Sequence, residues 1–436
     1  MDTRKVYIET YGCQMNIADS ELLIGLLKPH GYEPTQKADR ADVILLNTCA
    51  IREHAEERVL KRLSELVRHK TKNPGVLLGL TGCMAQHHRE RLLDKAPFLD
   101  LVLGPDAYRS LPALLTQEEQ DEPLVAVRLN RDETYADVSP VRAEGIRAWV
   151  TVMRGCDKFC TFCIVPYVRG RERSVPLKAL LSQVRELADQ GYREVVYLGQ
   201  TVNAYHDDDY DFADLLRKTA EIDEIQRIRF TSPHPSDMSE RVIEAMATCE
   251  KVAPYLHLPL QSASNRVLER MERGYTIERY ADLVARLREA IPGLALSTDI
   301  IVGFPGEETA DFRATYDFMT AIRYDSAFLF KYSAREGTKA YKWGETLSEE
   351  EKGRRLQDII ALQERISTEI NRSTVGQTVK ALVEGPAKRQ KDWLAGKNGQ
   401  FKTVVFPTNG AQPGDRVSVH VTSATAHTLI GEALSR

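Results

Sequence analysis

Three cysteines stand close together in the stretch "RGCDKFCTFC", where Cys156, Cys160 and Cys163 follow the pattern C-x3-C-x2-C. Thiolates with this spacing can bind three irons of one 4Fe-4S cluster and leave the fourth iron without a protein ligand. The alternative is a structural zinc site, which normally needs four ligands. The next candidate ligand, His206, lies far downstream. The spacing of this group, the loop triad, therefore favours an iron-sulfur cluster with one open iron.

Three further cysteines, Cys13, Cys49 and Cys83, are far apart in the sequence but share one local setting. Each follows a short apolar stretch that is typical of a buried strand: "YIETYGC", "ILLNTC" and "LLGLTGC". The carboxyl ends of parallel strands meet at one edge of a sheet, so we expect these cysteines, the sheet triad, to form a second three-thiolate site. The alternative is three separately buried cysteines, the interpretation that we keep for Cys249.

The elements around the sheet triad predict a parallel sheet. Over residues 1–130, apolar strands such as "KVYIET" and "DVILLN" alternate with helical patterns such as "EERVLKRLSELVRHK". This alternation is typical of a doubly wound α/β domain with helices on both faces of the sheet. Asp19 and Ser20 predict the start of the first helix. The polar residues 131–145 are interpreted as a linker.

Strands and helices alternate again over residues 146–371, in six units. This pattern predicts a (β/α) partial barrel with functional groups at the C-terminal ends of its strands, and the loop triad follows the first of them. Residues 372–436 are rich in Gly, Val and Thr and predict a small antiparallel β-barrel. This tail has nine Lys or Arg against four Asp or Glu, although the whole chain has a formal net charge of -4. The tail is therefore the basic part of the protein.

The composition limits the class of protein. A chain of 436 residues with 42% hydrophobic content can bury a large core in two or three domains. Its N-terminus lacks the apolar region of a signal peptide, and no apolar stretch is long enough to span a bilayer. We therefore expect a cytoplasmic protein without membrane contacts. Thiols stay reduced there, so clustered cysteines indicate metal ligands or catalysts rather than disulfides.

The chain has two cysteine triads in this domain order, and it resembles the radical S-adenosylmethionine (SAM) methylthiotransferases over essentially its whole length. At motif level the chain is most similar to the enzymes that form 2-methylthio-N6-dimethylallyladenosine in tRNA. The motifs that carry the resemblance are "ETYGCQMN", "NTCAIREHAEERV", "GCMAQ", "GCDKFCTFCIVPYVRGRERS", "LGQTVNAY", "HLPLQSAS", "DIIVGFPGE" and "YSAREGT". Two departures are Asp157, where asparagine is usual, and the tail segment "GKNGQFKTVVFP".

The resemblance implies two 4Fe-4S clusters and two uses of SAM. The cluster of the loop triad would bind SAM at its open iron and produce a 5′-deoxyadenosyl radical, which removes the hydrogen from C2 of N6-isopentenyladenosine next to the tRNA anticodon. A sulfur associated with the cluster of the sheet triad would accept a methyl group and be attached at that carbon. This C-H bond is neither acidic nor electrophilic, so the difficult step belongs to a cofactor rather than to side chains.

Small and polar residues at other strand ends are candidates for holding SAM. The candidates are Gly199, Gln200, Ser232, Gln261 and Asp299, together with Phe162 before the last cysteine of the loop triad. The alternative for each polar member is a turn or capping role, and for Phe162 it is a packed aromatic ring.

Basic residues are candidates for contacts with RNA phosphates. They are Arg169, Arg171 and Arg173 after the loop triad, and Lys388, Arg389, Lys391 and Lys402 in the tail. The tail resembles the TRAM domain, a small RNA-binding barrel, whereas the alternative is a solvated charged face. The resemblance further implies a tRNA carrying isopentenyladenosine, an electron donor such as flavodoxin or ferredoxin, and the iron-sulfur assembly machinery as partners.

Two other functions stay open on the sequence. A methylthiotransferase that acts on threonylcarbamoyladenosine in tRNA or on a ribosomal protein would use the same chemistry. A non-catalytic iron-sulfur protein that binds RNA would keep its clusters for structure. The open-iron spacing of both triads and the positions of Gln200, Gln261 and Asp299 argue against the non-catalytic protein.

Overall fold

The computed structural model describes residues 3–49, 53–116, 122–142, 145–408 and 410–434. Residues 143 and 144, in the predicted linker, lie outside the described residues. A parallel sheet with helices, a partial barrel and a small closed barrel follow one another along the chain. Within the described ranges, no helix combines the length and the apolar character needed to cross a bilayer.

The first domain is a six-stranded parallel sheet in the order β2-β1-β3-β4-β5-β6. Its strands are β1 (Arg4–Tyr11), β2 (Tyr32–Pro34), β3 (Val43–Thr48), β4 (Leu77–Gly82), β5 (Leu101–Leu103) and β6 (Leu124–Ala126). Its helices are α1 (Gln14–Leu27), α2 (Glu53–Lys72), α3 (Cys83–His88), α4 (Arg91–Lys95) and α5 (Leu111–Leu114).

Two hydrophobic cores lie on opposite faces of this sheet, because successive side chains of a strand point to opposite sides. Ile44 and Leu46 belong to the core that includes α2. Val43 and Leu45 belong to the core that includes α1 and α5. The predicted doubly wound arrangement is therefore confirmed.

Helix α1 begins at Gln14 and not at Asp19, where the sequence pattern placed its start. Cys13 takes the extended position before the helix, and its carbonyl oxygen accepts a hydrogen bond from the backbone N of Asn16 (3.0 Å). The helix therefore starts directly at the end of β1. Asp19 lies inside the helix, fully buried, and its carboxylate forms ion pairs instead of capping.

The central domain contains ten strands and eight helices in its described residues. The strands are β7 (Arg147–Thr151), β8 (Met153–Arg154), β9 (Arg173–Ser174), β10 (Glu194–Leu198), β11 (His206–Asp207), β12 (Tyr210–Asp211), β13 (Arg227–Phe230), β14 (Tyr255–His257), β15 (Ala295–Val302) and β16 (Ser326–Lys331). The helices are α6 (Val165–Arg169), α7 (Leu177–Asp189), α8 (Phe212–Ala220), α9 (Glu240–Thr248), α10 (Asn265–Arg270), α11 (Ile277–Ala290), α12 (Thr309–Ile322) and α13 (Glu349–Arg372).

Six of these strands form the predicted partial barrel. Strand β10 pairs in parallel with β7 and β13, and β15 pairs in parallel with β14 and β16. A parallel bridge between Ile228 and Val252 joins the two halves. Helix α1 of the first domain packs against β7 and β10 through Met15 and Ala18. The first domain therefore lies directly against the partial barrel.

The tail is a closed five-stranded barrel in the order β17-β18-β19-β21-β20. Its strands are β17 (Thr378–Pro386), β18 (Trp393–Asn398), β19 (Thr403–Pro407), β20 (Arg416–Ala424) and β21 (Thr428–Ala433). Strands β19 and β21 run parallel, whereas the other neighbours are antiparallel. The predicted small barrel is confirmed, with this one parallel pair as a difference.

The tail barrel is fixed to the central barrel by residues 398–402, the docking turn, which joins β18 to β19. Arg229, on β13, donates through Nη2 to the carbonyl of Asn398 (2.7 Å) and through Nη1 to that of Gly399 (2.9 Å). The same guanidinium pairs with the fully buried Glu194 (3.4 Å). Buried charges thus hold the turn in one position.

The docking turn lies at the N-terminal ends of the barrel strands. Arg147, Glu194 and Arg227 are the first residues of β7, β10 and β13, and they form one buried ion-pair network with Arg229. Arg227 also donates to the carbonyl of Lys397, next to the turn (2.8 Å). The loop triad follows the other end of these strands. The tail barrel and the loop triad are therefore at opposite ends of the central barrel.

Lys402 belongs to this interface and not to an exposed basic surface. Its ammonium group pairs with Asp325 (2.9 Å) and donates to Asn371 Oδ1 (2.8 Å), and only 9% of its side chain is exposed. The phosphate contact predicted for Lys402 is therefore corrected, because its charge is already compensated inside the protein. The other predicted tail residues are exposed in residues 387–392, the tail loop, at the other end of β18: Lys388, Arg389 and Lys391.

Candidate active site

The loop triad lies on the loop that leads from β8 to α6. Thr161 anchors this loop, because its backbone N donates to Met271 O (3.0 Å) and its hydroxyl donates to Arg270 O (2.9 Å). Gly155 precedes the first cysteine with φ +81°, and a Cβ there would collide with the carbonyl of Arg171. Glycine is needed at this point so that the two ends of the loop can meet.

The thiols of the loop triad are shielded from water and have hydrogen-bond donors beside them. Cys156 and Cys160 are buried, and Cys156 Sγ lies 3.1 Å from Thr201 Oγ1. The buried Arg273 donates through Nη1 to Cys160 Sγ (3.4 Å). Burial raises the pKa of Cys163 to about 12, so that thiol keeps its proton until a metal displaces it. Three thiols beside a buried cation fit an anionic iron-sulfur cluster.

The sheet triad lies at the carboxyl edge of the first sheet. Strands β1, β3 and β4 are neighbours, and their register aligns Tyr11 with Thr48 and Thr48 with Gly82, so the next residues emerge side by side. The backbone N of Cys49 donates to Tyr11 O (3.0 Å). A hydrogen bond from the Cys49 thiol lowers the pKa of Cys13 to about 6, which favours the thiolate that binds iron.

Glycine precedes two of the three cysteines in the sheet triad for a steric reason. A Cβ on Gly12 would lie 2.7 Å from Cys49 Cβ, and a Cβ on Gly82 would lie 2.5 Å from Asn47 Oδ1. Both glycines have positive φ, +146° and +93°. Any other residue would push the strand ends apart, so these glycines allow the thiols to approach one another.

A buried amide network supports the sheet triad, and the sequence patterns did not indicate it. Asn16 Oδ1 accepts hydrogen bonds from the backbone N (3.3 Å) and Sγ (3.4 Å) of Cys13. Asn47 Nδ2 donates to Asn16 O (2.8 Å) and to Ser20 Oγ (2.9 Å). Buried amides need such partners, so the network holds α1 against β3. The sequence contains one indication of this network, because both asparagines stand within three residues of a cysteine in the quoted motifs.

Two of the three arginines that follow the loop triad are buried in ion pairs. Arg169 Nη2 donates to Asp19 (2.7 Å), and Arg173 Nη2 donates to Asp106 (2.7 Å). Their charges are compensated inside the protein, which corrects the phosphate contacts predicted for them. Arg171 differs, because 60% of its side chain is exposed.

Two of the residues predicted to hold SAM lie against the residues that precede the loop triad. Gln200 Oε1 accepts a hydrogen bond from the backbone N of Gly155 (2.6 Å), so it fixes the start of the loop. A Cβ on Gly199 would lie 2.6 Å from Met153 Cγ. The packing of the protein itself therefore already requires a small residue at Gly199.

The other predicted SAM residues lie at the ends of later strands. The backbone N of Gln261 donates to Asp299 O (2.8 Å), which places these two residues together. Ser232 and Gln261 have positive φ, 60° and 74°, a strained conformation that is often found at functional sites. Phe162 packs edge to face against the buried ring of Phe304, with 6.3 Å between centroids.

His234 was not singled out from the sequence, although it shares the stretch "FTSPHP" with Ser232. Its Nδ1 bonds Ser236 Oγ (2.7 Å), whereas its buried Nε2 has no hydrogen-bond partner among the described residues. Burial, with a further contribution from Arg273, lowers the pKa of His234 to about 2, so the ring is neutral. A neutral ring with one unpaired nitrogen beside the arginine that contacts Cys160 can bind a polar group.

All seven cysteines lie in the described residues, and none forms a disulfide. Across those residues, no group of three or more His, Cys, Asp or Glu side chains is arranged to hold a single metal ion. A 4Fe-4S cluster needs a different arrangement of ligands, because each thiolate binds a different iron. Cys249 is half-buried and packs against the main core of the central domain.

Three family models match successive parts of the chain. Uncharacterized protein family UPF0004 matches residues 5–104, the radical SAM superfamily matches residues 150–319, and the TRAM domain matches residues 372–434.

Solved structures of radical SAM enzymes share the fold. The methyltransferase TsrM from Kitasatospora setae, with cobalamin and a [4Fe-4S] cluster bound, has a TM-score of 0.58 at 14% identity and covers 78% of this chain and 77% of that chain. The cobalamin-dependent enzyme OxsB, with aqua-cobalamin and SAM bound, has a TM-score of 0.54 at 15% identity and covers 80% of this chain and 56% of that chain.

Proteins named tRNA-2-methylthio-N(6)-dimethylallyladenosine synthase are similar over nearly their whole length. The protein of Chloroherpeton thalassium is 46% identical over 433 residues, which are 99% of this chain and 96% of that protein. The protein of Porphyromonas gingivalis strain W83 is 44% identical over 441 residues, which are 99% of this chain and 95% of that protein. The chain therefore belongs to the tRNA-2-methylthio-N(6)-dimethylallyladenosine synthase family of radical SAM methylthiotransferases.

Proposed function

We propose that the protein transfers a methylthio group to C2 of N6-isopentenyladenosine next to the anticodon of tRNA. Its family membership over the full chain supports this activity. The observation that carries it is a contact between the sheet triad and the helix that follows the loop triad. Arg169, on the helix that follows the loop triad, donates through Nε to Cys83 of the sheet triad (3.2 Å). This hydrogen bond joins the segment after the loop triad to the sheet triad of the other domain.

The loop triad is the site of a 4Fe-4S cluster that works with SAM. Together they supply the radical chemistry that removes the hydrogen from C2, which acid and base groups cannot do. Thr201 and Arg273 stabilise the thiolates of Cys156 and Cys160 by hydrogen bonds, and burial excludes water. Gln200 holds the start of the loop in place.

The sheet triad would hold a second 4Fe-4S cluster, which would supply the site where the sulfur to be transferred is bound. The adjacent strand ends, the glycines that let them approach and the lowered pKa of Cys13 support this assignment. The amide network around Asn16 keeps Cys13 at the edge of the sheet. The protein therefore carries two clusters in different domains.

Side chains at the strand ends around the loop triad bind SAM. Gln261, Asp299 and Ser232 supply polar groups, and His234 adds an unpaired nitrogen. The remaining members of the set are Gly199, Gln200 and Phe162, which stand beside the loop triad in the sequence or in space.

RNA is bound by exposed basic residues at both ends of the central barrel. At the tail loop they are Lys388, Arg389 and Lys391, and Arg171 lies beside the loop triad. The match of the tail to the TRAM domain supports the first group. Phosphate contacts of this kind dominate RNA affinity.

Replacing Lys388, Arg389 and Lys391 together with alanine will weaken tRNA binding and reduce its salt dependence. Each phosphate contact releases roughly one counterion, so the slope of log Kd against log salt concentration falls by about 2 to 3. Kd is measured by fluorescence anisotropy at several salt concentrations.

The control for this variant removes three exposed cations from outer helices of the central domain: Lys178, Arg185 and Arg313. That protein should keep the original affinity and slope. Equal slopes for the tail variant and the unmodified protein would show that the tail loop does not contact phosphate.

Partners and location follow from the chemistry. Reductive cleavage of SAM consumes electrons, so an electron donor such as flavodoxin or ferredoxin acts with the enzyme, and the assembly machinery supplies the clusters. Cysteines that bind iron have to stay reduced, which supports a cytoplasmic location.

The substrate is tested with anaerobically reconstituted protein, SAM, a reductant and tRNA that carries isopentenyladenosine. Mass spectrometry of the digested tRNA should show the 2-methylthio derivative of that nucleoside. tRNA with threonylcarbamoyladenosine and ribosomal protein are parallel substrates in the same assay. Modification of either one without modification of isopentenyladenosine would contradict the proposed substrate, and absence of SAM cleavage would contradict the activity.

A further inference from the structure

Two buried arginines of the central domain share one carboxylate of the first domain. Arg154 Nη2 donates to Asp19 Oδ1 (2.9 Å), and Arg169 Nη2 donates to Asp19 Oδ2 (2.7 Å). Arg154 precedes the loop triad and Arg169 follows it, whereas Asp19 lies on α1, which begins directly after Cys13. We call these three side chains the arginine clamp. The clamp joins the loop of one triad to the helix of the other.

The arginine clamp does not balance its own charge. Two guanidinium groups face one carboxylate, and the nearby Asp106 is already paired with Arg173 (2.7 Å). Arg169 Nη1 and Arg154 Nε and Nη1 have no hydrogen-bond partner within the described part of the chain. Tyr135 lies across Arg154, 4.8 Å from Cζ to the ring centroid, but brings no charge. A buried excess of positive charge is costly and indicates an anionic neighbour.

A second hydrogen bond of Arg169 identifies that neighbour. Its Nε donates to Cys83 Sγ (3.2 Å), and both side chains are buried. Thiolates that bind an iron-sulfur cluster are negatively charged, so the excess positive charge lies where a cluster on the sheet triad places negative charge. Helix α6 of the central domain thus completes the surroundings of a site in the first domain.

We propose that Arg169 is a positioning residue for the cluster of the sheet triad, held by Asp19 so that its hydrogen bond to Cys83 raises the reduction potential of that cluster. This rests on the proposed function in one respect, the presence of a cluster at the sheet triad. Reduction adds negative charge, which a donated hydrogen bond and a nearby cation stabilise. Loss of Arg169 therefore lowers the reduction potential.

The loop triad offers a matched comparison. Arg273 is also buried and donates to one thiol of that triad, Cys160 (3.4 Å), with Tyr275 and the carbonyl of Pro259 as its other partners. It has no contact with the sheet triad among its hydrogen bonds. Each triad therefore has its own arginine, and the two can be changed separately.

The test uses full-length protein with C156A, C160A and C163A, in which only the sheet triad can hold a cluster. Its midpoint potential is measured by redox titration followed by electron paramagnetic resonance. R169Q should lower the midpoint. R169K should lower it less, because lysine keeps the charge but loses the planar fork that reaches both partners.

Two controls separate this effect from general damage. R273Q in the same protein should leave the midpoint of the sheet-triad cluster unchanged. In the reciprocal protein with C13A, C49A and C83A, R273Q should lower the midpoint of the remaining cluster, whereas R169Q should leave it unchanged.

The outcomes distinguish this proposal from the function on which it rests. If the protein with only the sheet triad binds no iron, the second cluster and this proposal both fail. If it binds iron and R169Q leaves the midpoint unchanged, this proposal alone fails. If R169Q does not retain its cluster, the decision falls to R169K, and an unchanged midpoint in R169K would overturn the proposal.

Discussion

Full-length protein in which Cys156, Cys160 and Cys163 are all replaced by alanine will lose SAM cleavage and keep about four of about eight iron atoms after anaerobic reconstitution. In the proposed function, SAM binds only to the cluster of the loop triad. The sheet triad is held by separate strand ends and by its own amide network, so its cluster persists. Iron is measured by mass spectrometry, and SAM cleavage by the release of 5′-deoxyadenosine.

Cys249→Ala is the control for this variant, because Cys249 is half-buried at the main core and lies apart from both triads in the sequence. It should keep its full iron content and SAM cleavage. SAM cleavage that survives in the triple variant would show that the loop triad is not the site of the SAM-binding cluster. Loss of all iron would show that the two clusters do not assemble independently.

Replacing Cys13, Cys49 and Cys83 with alanine will leave SAM cleavage intact but abolish the methylthio nucleoside. In the proposed function, the radical is generated in the central domain, whereas the sulfur is presented from the first sheet. The same reaction mixture is analysed for 5′-deoxyadenosine and, after digestion of the tRNA, for the modified nucleoside. This variant should therefore release 5′-deoxyadenosine without forming the methylthio nucleoside.

Folding has to be followed in this variant, because loss of Cys83 leaves Arg169 with one partner fewer in a buried position. Thermal unfolding is recorded for the triple variant and for Cys13→Ala alone, at an exposed position. A folded triple variant that still forms the methylthio nucleoside would show that the sulfur does not come from the sheet triad.

Strand ends explain why much of the molecule could be predicted from sequence. Alternating strands and helices indicate a parallel sheet, and parallel strands place residues that follow them at one edge. Cys13, Cys49 and Cys83 each follow such a strand, so their common location could be expected without a structure. The partial barrel follows from the same local pattern.

Ion pairs between distant residues have no such local pattern. The run "VRGRERS" has the appearance of a solvated basic face, yet Arg169 pairs with Asp19, 150 residues away, and Arg173 with Asp106, 67 residues away. Lys402 is another example, because its partners are on the central domain. Burial of a charge depends on which surfaces meet in the folded chain, and sequence spacing does not contain that information.

The docking turn fixes the tail barrel to the central domain, so the tail is not a flexibly linked domain. Hydrogen bonds from Arg227 and Arg229 hold the turn at the N-terminal ends of the barrel strands. Strands β7 and β10 are each five residues long, and the loop triad lies beyond their other end. Five residues of strand correspond to about 17 Å, which is the length of strand between the docking turn and the loop triad. With the RNA contacts proposed above, we expect a whole tRNA to reach both the tail loop and Arg171, and a minimal stem-loop to reach Arg171 alone.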